Sequence, residues 1–446
     1  GFLLESFKHL RSHTDVDVNA DDSEAVKSAK KEKRRVIREE SIYGRELTST
    51  ARIAKMNMIL FGDGHTHIRQ MDCLSEPVSE AYDIVVSNIP YSQKVERQPG
   101  YDYATTNGDS LFMQHIWKAV KKGGRIAVVI PDTFLYSDEA SVAFIRKKIV
   151  DESARLIVVS LPRGVFNPYT PMKTSVLIAT KQKNAADVLK EISMYVIRND
   201  GFELGARRRP LAGQSDCNTF LMNYNDDKEL RTVEVPDSCD VPLASVQSHG
   251  YNLFPFTYME HLPQVAAETA VVPLGIYITE KNEKFAIDSF ENIDEECIIL
   301  SVTQNGIYVG EYLTAAELNE RNQTYKKVSV GDFTYNPHRI NVGSIGIVPN
   351  LGKNMYVSTI YPVFRLRPDC GIPDYYVLKL LKNAEYRTII NDYCLGGARA
   401  DLKLEWLGKI KIKLPEAEEA AAVKALALQL NEAYQNYLDL YKQIMQ

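Results

Sequence analysis

Between residues 41 and 181 the chain alternates two hydrophobic patterns. Short apolar runs bounded by turn residues have the length of buried strands: Ser41-Ile42-Tyr43-Gly44, Asp83-Ile84-Val85-Val86-Ser87, Arg125-Ile126-Ala127-Val128-Val129-Ile130, Leu156-Ile157-Val158-Val159-Ser160 and Ser175-Val176-Leu177-Ile178-Ala179. Helical stretches at 48–60, 111–121 and 141–152 separate them. Strands alternating with helices at this spacing predict parallel βαβ units and a doubly wound α/β sheet, with functional loops at the carboxyl ends of the strands. Upstream, the pattern predicts a helix over residues 2–9, a polar segment at 12–23 and a highly charged, solvent-facing helix or linker at 27–40.

The texture changes after Arg207-Arg208-Arg209-Pro210. The expected organisation is a first domain at 1–215, a linker at 216–240 and a second domain at 241–415. In the second domain short β-like runs predominate, such as Cys297-Ile298-Ile299-Leu300-Ser301-Val302 and the run at 342–348, with a short helix at 374–382; this reads as an α+β module. The last segment, 416–446, carries apolar residues at Val423, Ala427, Leu430, Tyr434, Tyr437, Tyr441 and Ile444, a heptad seam suited either to a partner helix, in coiled-coil fashion, or to docking on its own domain.

Composition narrows the class. With 45% apolar and 25% charged residues among 446, the chain is globular and neither disordered nor fibrous. No uncharged apolar run reaches membrane-spanning length and the start has no signal-peptide pattern, so a cytoplasmic protein without a membrane contact is expected. The six cysteines are widely spaced, which predicts reduced thiols, no zinc site and no disulfide framework. Net charge is −5, yet residues 321–413 hold 15 Lys and Arg against 7 Asp and Glu, a local excess of eight positive charges. A basic patch inside an acidic protein is the footprint to look for in a nucleic-acid binder, and equally what a solvated surface face can look like.

The most informative residues are Asn88-Ile89-Pro90-Tyr91, directly after the apolar run 84–86. The exocyclic amine of adenine is a poor nucleophile because its lone pair is delocalised into the ring. An amide oxygen at Asn88 and the backbone carbonyl of Ile89 could accept its two N–H groups and concentrate the lone pair toward an incoming methyl group. Pro90 stiffens the loop, and the Tyr91 ring offers a stacking face. As a bare pattern Asn-x-Pro-Tyr is also a common turn. Glu46 closes a strand-like run and opens a helix, the placement that bonds ribose hydroxyls, and Asp72 could accept from an adenine amino group; either acid could equally be a helix cap or loop residue.

Six blocks in order resemble the modification subunit of type I restriction-modification systems, adenine-specific DNA methyltransferases of the gamma class: Gly1-Phe2-Leu3-Leu4, Tyr43-Gly44-Arg45-Glu46 with the helix at 51–58, Asp72, Asn88-Ile89-Pro90-Tyr91, the run 123–131, and Gly164-Val165-Phe166-Asn167-Pro168-Tyr169 continuing through Lys173-Thr174-Ser175. The resemblance covers residues 1 to about 210. It implies a Rossmann-like methyltransferase domain and S-adenosylmethionine as cofactor, with Glu46 on its ribose, Asp72 on its adenine, and Gly1, Phe2 and Asn88 also at the cofactor. It implies Asn88, Pro90 and Tyr91 around a flipped base, with Phe166 as a second stacking wall. Two departures stand out. Ile89 replaces the family's usual first proline, a variant that resembles adenine methyltransferases acting on ribosomal RNA. The family's preceding strand and glycine loop would lie before Gly1, so the chain as given is expected to bind cofactor poorly.

The block Val330-Gly331-Asp332-Phe333-Thr334-Tyr335-Asn336-Pro337-His338-Arg339-Ile340-Asn341, with Ala398-Arg399-Ala400-Asp401-Leu402-Lys403 and the run into the last helix, looks like half of a type I specificity subunit. That resemblance implies a target recognition domain for double-stranded DNA followed by a spacer helix. Candidate DNA contacts are Arg339, Asn341, Arg365, Arg367, Arg399 and Lys403, each also readable as ordinary surface charge. The expected whole is a site-specific N6-adenine DNA methyltransferase fused to its recognition domain. Its partners would be a second copy or another specificity or modification subunit through the last helix, and a restriction subunit. The competing readings are a catalytically inactive DNA-binding specificity protein and an RNA adenine methyltransferase.

Overall fold

The computed structural model describes residues 1–19, 21–62, 67–203, 207–211, 213, 215–224, 237–259, 271–394 and 401–445. They form two compact units. The first comprises Gly1–Pro162, Thr174–Glu203 and the described residues of 209–255. The second comprises Arg163–Lys173 and the described residues of 204–208 and 256–446.

In the first unit, helix α1 (Phe2–His13) runs one turn past its predicted end, and the charged run is helix α2 (Glu24–Glu39), capped by Ser23, which accepts from the Val26 amide. Strands β1 (Gly44–Glu46) and β2 (Ile68–Gln70) pair in parallel across helix α3 (Thr50–Phe61). Phe7, Val16, Ile37, Ile42, Met58 and Ile68 close a small core around this pair. Burying such side chains contributes roughly 1.5–3 kcal/mol each before ordering costs.

The main sheet follows: β3 (Tyr82–Asn88), α4 (Gly108–Ala119), β4 (Val120–Pro131), α5 (Thr133–Tyr136), α6 (Ala140–Asp151), β5 (Ser153–Ser160), β6 (Thr174–Lys181), β7 (Glu191–Val196), α7 (Asp216–Asn223), β8 (Ser238–Pro242) and α8 (Leu243–Ser248). Its order is β3-β4-β6-β5-β7-β8. The expected parallel βαβ units account for part of this sheet only. β3 and β4 are parallel, as are β5 and β7, but β6 runs antiparallel to both β4 and β5, and β8 antiparallel to β7. The reason lies between β5 and β6, where no helix intervenes: a parallel pair needs a crossover connection, whereas a returning loop seats the next strand antiparallel. Residues 238–240, read from sequence as the end of a linker, belong to edge strand β8, where the Ser193 hydroxyl donates to Asp240 at 2.6 Å. The first unit therefore extends to Pro255, past the expected start of the second domain at residue 241.

Helix α4 is buried on nearly its whole circumference, including Leu111, Met113, Ile116 and Trp117. Its start is set by Asn107, whose side chain accepts from the Ser110 amide at 3.0 Å. Between α4 and the regular part of β4, Gly124 lets the chain pass close to β3, since a Cβ there would lie 2.8 Å from the Asp83 carbonyl.

The second unit holds β9 (Val271–Pro273), β10 (Ile278–Glu280), β11 (Glu296–Thr303), β12 (Gly306–Thr314), α9 (Ala315–Glu320), β13 (Tyr325–Val328), β14 (Phe333–Tyr335), β15 (Ile345–Ile347), β16 (Met355–Ser358), β17 (Val363–Leu366), α10 (Asp374–Lys382), α11 (Ala384–Tyr393), α12 (Leu404–Lys409), β18 (Lys411–Lys413) and α13 (Ala417–Met445). Two four-stranded sheets, β10-β17-β14-β15 and β12-β11-β16-β13, pair antiparallel except for the parallel β11–β16 contact. The run at 342–348 opens as a 3-10 turn (Ile340–Val342) and becomes strand only at β15. Helix α13 meets α10 through Tyr375, which donates to Asn431 at 3.0 Å, and the Lys379–Glu419 pair. Of the heptad seam, Val423, Ala427 and Tyr434 are half-buried and Leu430 is 55% exposed; the side chains of Tyr437, Tyr441 and Ile444 lie outside the described residues.

Candidate active site

Asn88 is the last residue of β3, paired with Val129 of β4, and its side chain is exposed at the carboxyl end of the strand. The next residue anchors the turn: Ile89 is 2% exposed and donates its amide to the Val129 carbonyl. Pro90 and Tyr91 are half-buried. The Tyr91 hydroxyl donates to the Asn88 side-chain oxygen, and burial pushes the phenol above its ordinary value, so the hydroxyl keeps its proton. The amide oxygen that the sequence singles out is thus present, exposed and held by its own loop.

That loop is tied to the start of α4. Ser92 adopts a left-handed φ of 51°, and its amide donates to the Asp109 carboxylate at 2.8 Å. The Gly108 amide donates to the Gln93 carbonyl at 2.8 Å, and Val95 donates to Thr106 at 2.9 Å. Asp109 is 6% exposed; burial pushes its carboxyl above the usual carboxylate range, partly countered by the Ser92 amide. A Cβ on Gly108 would sit 2.7 Å from the Gln93 carbonyl, so the close approach needs glycine. Sequence reasoning missed Gly108 and Asp109. The available signal was Asn107-Gly108-Asp109 at the start of a helix, a cap whose acid faces inward rather than toward solvent.

Glu46 and Asp72 sit at the carboxyl ends of the paired strands β1 and β2. Glu46 pairs with Gln70 in register, and the Met71 amide donates to the Glu46 carbonyl at 3.0 Å, so the two acids leave neighbouring strand tips. Glu46 accepts the Thr48 hydroxyl at 2.6 Å and amide at 2.9 Å, which lower its pKa and keep it ionised. Asp72 accepts the Leu74 amide at 2.9 Å. These bonds occupy Oε1 of Glu46 and Oδ1 of Asp72; among the described residues the second oxygen of each accepts no hydrogen bond. Two fixed carboxylates, each with one oxygen to spare, match the donor set of a ribose diol and an aromatic amine, and so fit an S-adenosylmethionine-type nucleoside.

The Gly1 carbonyl accepts from Leu4 and Glu5, starting α1, and Leu3 approaches Gly44 of β1. Phe2 is 46% exposed. The structure therefore gathers Asn88, Pro90 and Tyr91 on one loop, and Glu46, Asp72 and the start of α1 around β1 and β2. Phe166 belongs to the segment Arg163–Lys173, which clusters with the second unit, and is half-buried there.

Among the candidate DNA contacts, Arg339, Arg367 and Lys403 are exposed, with Lys403 at the start of α12. Asn341 is half-buried, with its amide 3.5 Å from Asn391. Arg365 is committed differently: it donates Nε to the buried Asp332 and Nη2 to the Val330 carbonyl, both at 2.7 Å, bracing the turn before β14. Arg399 lies outside the described residues.

The mixed six-stranded sheet carries the amide loop at the end of β3, and the separate β1–β2 pair carries the two acids at its carboxyl end, the end of the strands at which open α/β folds place their ligand crevices. The chain belongs to the N-6 DNA methylase family, whose profile matches residues 1–265. It is similar to the type I restriction enzyme EcoEI methylase subunit of Escherichia coli, 30% identical over 197 residues covering 42% of this chain and 37% of that protein. It is 29% identical to the StySPI methylase subunit of Salmonella potsdam over 250 residues, 51% of this chain and 43% of the other. The matched part of the chain thus spans 37–43% of the length of these relatives. Among solved structures, the methyltransferase subunit of a type I restriction-modification system from Streptococcus thermophilus shares 23% identity, covering 50% of each chain at a TM-score of 0.40.

Proposed function

We propose that the protein is an adenine-specific DNA methyltransferase of a restriction-modification system, with its second unit serving as the reader of the target sequence. The observation that carries this is the exposed Asn88 amide at the tip of β3, on a loop locked by Ile89, Asp109 and Gly108. Glu46 and Asp72 hold the nucleoside part of S-adenosylmethionine, which when bound supplies a methyl group on a sulfonium. Asn88 Oδ1 and the Ile89 carbonyl accept the two N–H bonds of a flipped adenine, turning its lone pair out of conjugation and toward that methyl. Tyr91 gives up its bond to Asn88 as the base enters and presents its ring for stacking. The amine loses its proton only after transfer, when it is cationic, so no general base is required at the nitrogen beforehand.

In the second unit the exposed Arg339, Arg367 and Lys403, together with Arg399, are proposed to contact DNA. Helix α13 supplies the seam for a second copy or another subunit. The decisive experiment is Asn88→Ala in the intact enzyme. Methyl transfer to duplex DNA should fall by at least about 100-fold, as for loss of one preorganised transition-state contact, while DNA binding in a gel-shift assay stays within twofold. Unchanged methylation would overturn the proposal.

A further inference from the structure

The loop that carries Asp72 is held from the far side by a pair of residues outside the site described so far. Tyr101, in the segment before α4, donates its hydroxyl to the Leu74 carbonyl at 3.0 Å and lies 2.9 Å from Nδ1 of His115, on α4. A phenol has one hydrogen. Leu74 O can only accept it, so the His115 contact must run the other way, with Nδ1–H donating to the phenol oxygen. His115 is 9% exposed, and burial, with the nearby Arg45 charge, pushes its pKa down to about 4. The ring is therefore neutral near pH 7 and is fixed as the Nδ1–H tautomer by its neighbour.

The chain of bonds ends on Asp72. The Leu74 carbonyl accepts from Tyr101, and the amide of the same residue donates to Asp72 Oδ1 at 2.9 Å. Leu74 itself is 3% exposed, so both of its backbone groups are out of reach of bulk water. Moving Leu74 therefore moves the donor that aims the Asp72 carboxylate. Arg45, which donates to the Glu76 carbonyl at 2.9 Å, and Ser75, which donates to the Asp72 carbonyl, limit how far the loop can shift but touch neither Leu74 group.

We infer that Tyr101 and His115 are positioning residues for cofactor binding: through the Leu74 backbone, whose carbonyl and amide lie on the two peptide groups flanking its Cα, they aim the Asp72 carboxylate at the adenine ring of S-adenosylmethionine. The inference rests on the reading of Asp72 as a cofactor ligand, and its test separates the two. In the intact enzyme, Tyr101→Phe removes one hydroxyl, leaving Leu74 O and His115 N–H without their partner. Calorimetric titration should show the dissociation constant for S-adenosylmethionine rising about tenfold, the size of one buried hydrogen bond. kcat at saturating cofactor and the affinity for DNA should stay within twofold, a split that general loss of structure does not give. Adding Tyr101→Phe to Asp72→Ala should weaken binding no further than Asp72→Ala alone. If Tyr101→Phe fails to fold, His115→Phe carries the test from the donor end, with an expected loss of about threefold. If Asp72→Ala leaves cofactor affinity unchanged, the reading of Asp72 fails. If Asp72→Ala weakens binding while the folded Tyr101 or His115 variant does not, or weakens kcat and DNA affinity equally, the positioning inference fails alone.

Discussion

Asp109 never faces the proposed base, yet it should matter to catalysis because it anchors the backbone of the Asn88–Tyr91 loop. Replacing it with alanine deletes the acceptor of the 2.8 Å bond from Ser92, at a residue whose φ of 51° is held by that contact. A hydrogen bond to a charged group contributes about 1.5–3 kcal/mol net. Transmitted fully to the loop, about 2 kcal/mol lowers kcat/KM for DNA roughly 30-fold. The Gly108–Gln93 and Val95–Thr106 bonds remain, so the loop loosens rather than unfolds. Asp109→Asn keeps an oxygen for Ser92 and sheds a buried charge, so its rate should stay within about threefold. The pH dependence separates the variants further. Burial raises the folded pKa of Asp109, so the folded state keeps its proton after the unfolded chain has lost it. Wild-type stability therefore falls as pH rises from the ordinary carboxylate value through the raised one, and Asp109→Asn lacks that fall. Urea-unfolding midpoints across acidic pH and initial methylation rates at neutral pH test both parts. An alanine variant matching the wild type in stability and rate would refute the reasoning.

Two further perturbations test the scaffold beneath the site. A Cβ at Gly124 would meet the Asp83 carbonyl at 2.8 Å, the Lys121 carbonyl at 2.9 Å and Val120 at 2.8 Å, and the two carbonyls belong to backbone that cannot step aside; Gly124→Ala should cost about 1–3 kcal/mol, and a melting temperature equal to the wild type's contradicts this. Arg146 is 2% exposed and donates to the carbonyls of Tyr251, Phe134 and Ser137 at 2.7, 3.0 and 2.8 Å; Arg146→Met should destabilise by on the order of 4 kcal/mol, at about 1–3 for each group left unpaired, and a denaturation free energy within about 1 kcal/mol of wild type rules the mechanism out.

What could be read before any coordinates divides along the reach of each interaction. The tip of β3 was legible because its information is local: an apolar strand, then Asn88, then a proline, all within one loop. The positions of Glu46 and Asp72 were legible for the same reason, each closing or following its own short strand. The direction of β6 was not, since an apolar run such as Ser175-Val176-Leu177-Ile178-Ala179 looks alike in either orientation, and only the lack of a helical period at 161–173 pointed to a returning loop. The residues that brace the site were invisible because their partners are distant in sequence. Asp109 meets Ser92 across 17 residues, and Tyr101 meets Leu74 across 27. Arg365, a candidate DNA contact that also read as ordinary surface charge, spends two of its donors on a turn 33 and 35 residues away. A residue type in a motif states which chemistry is available; which partner consumes it is decided by packing. That asymmetry has a practical consequence for this fold: substitutions at Asn88 or Glu46 test the chemistry of the site, whereas substitutions at Asp109, Tyr101 and His115 test whether the scaffold delivers that chemistry to the right place, and within the two sets Asn88 and Asp109 should act on the rate of transfer while Glu46, Tyr101 and His115 should act on cofactor affinity.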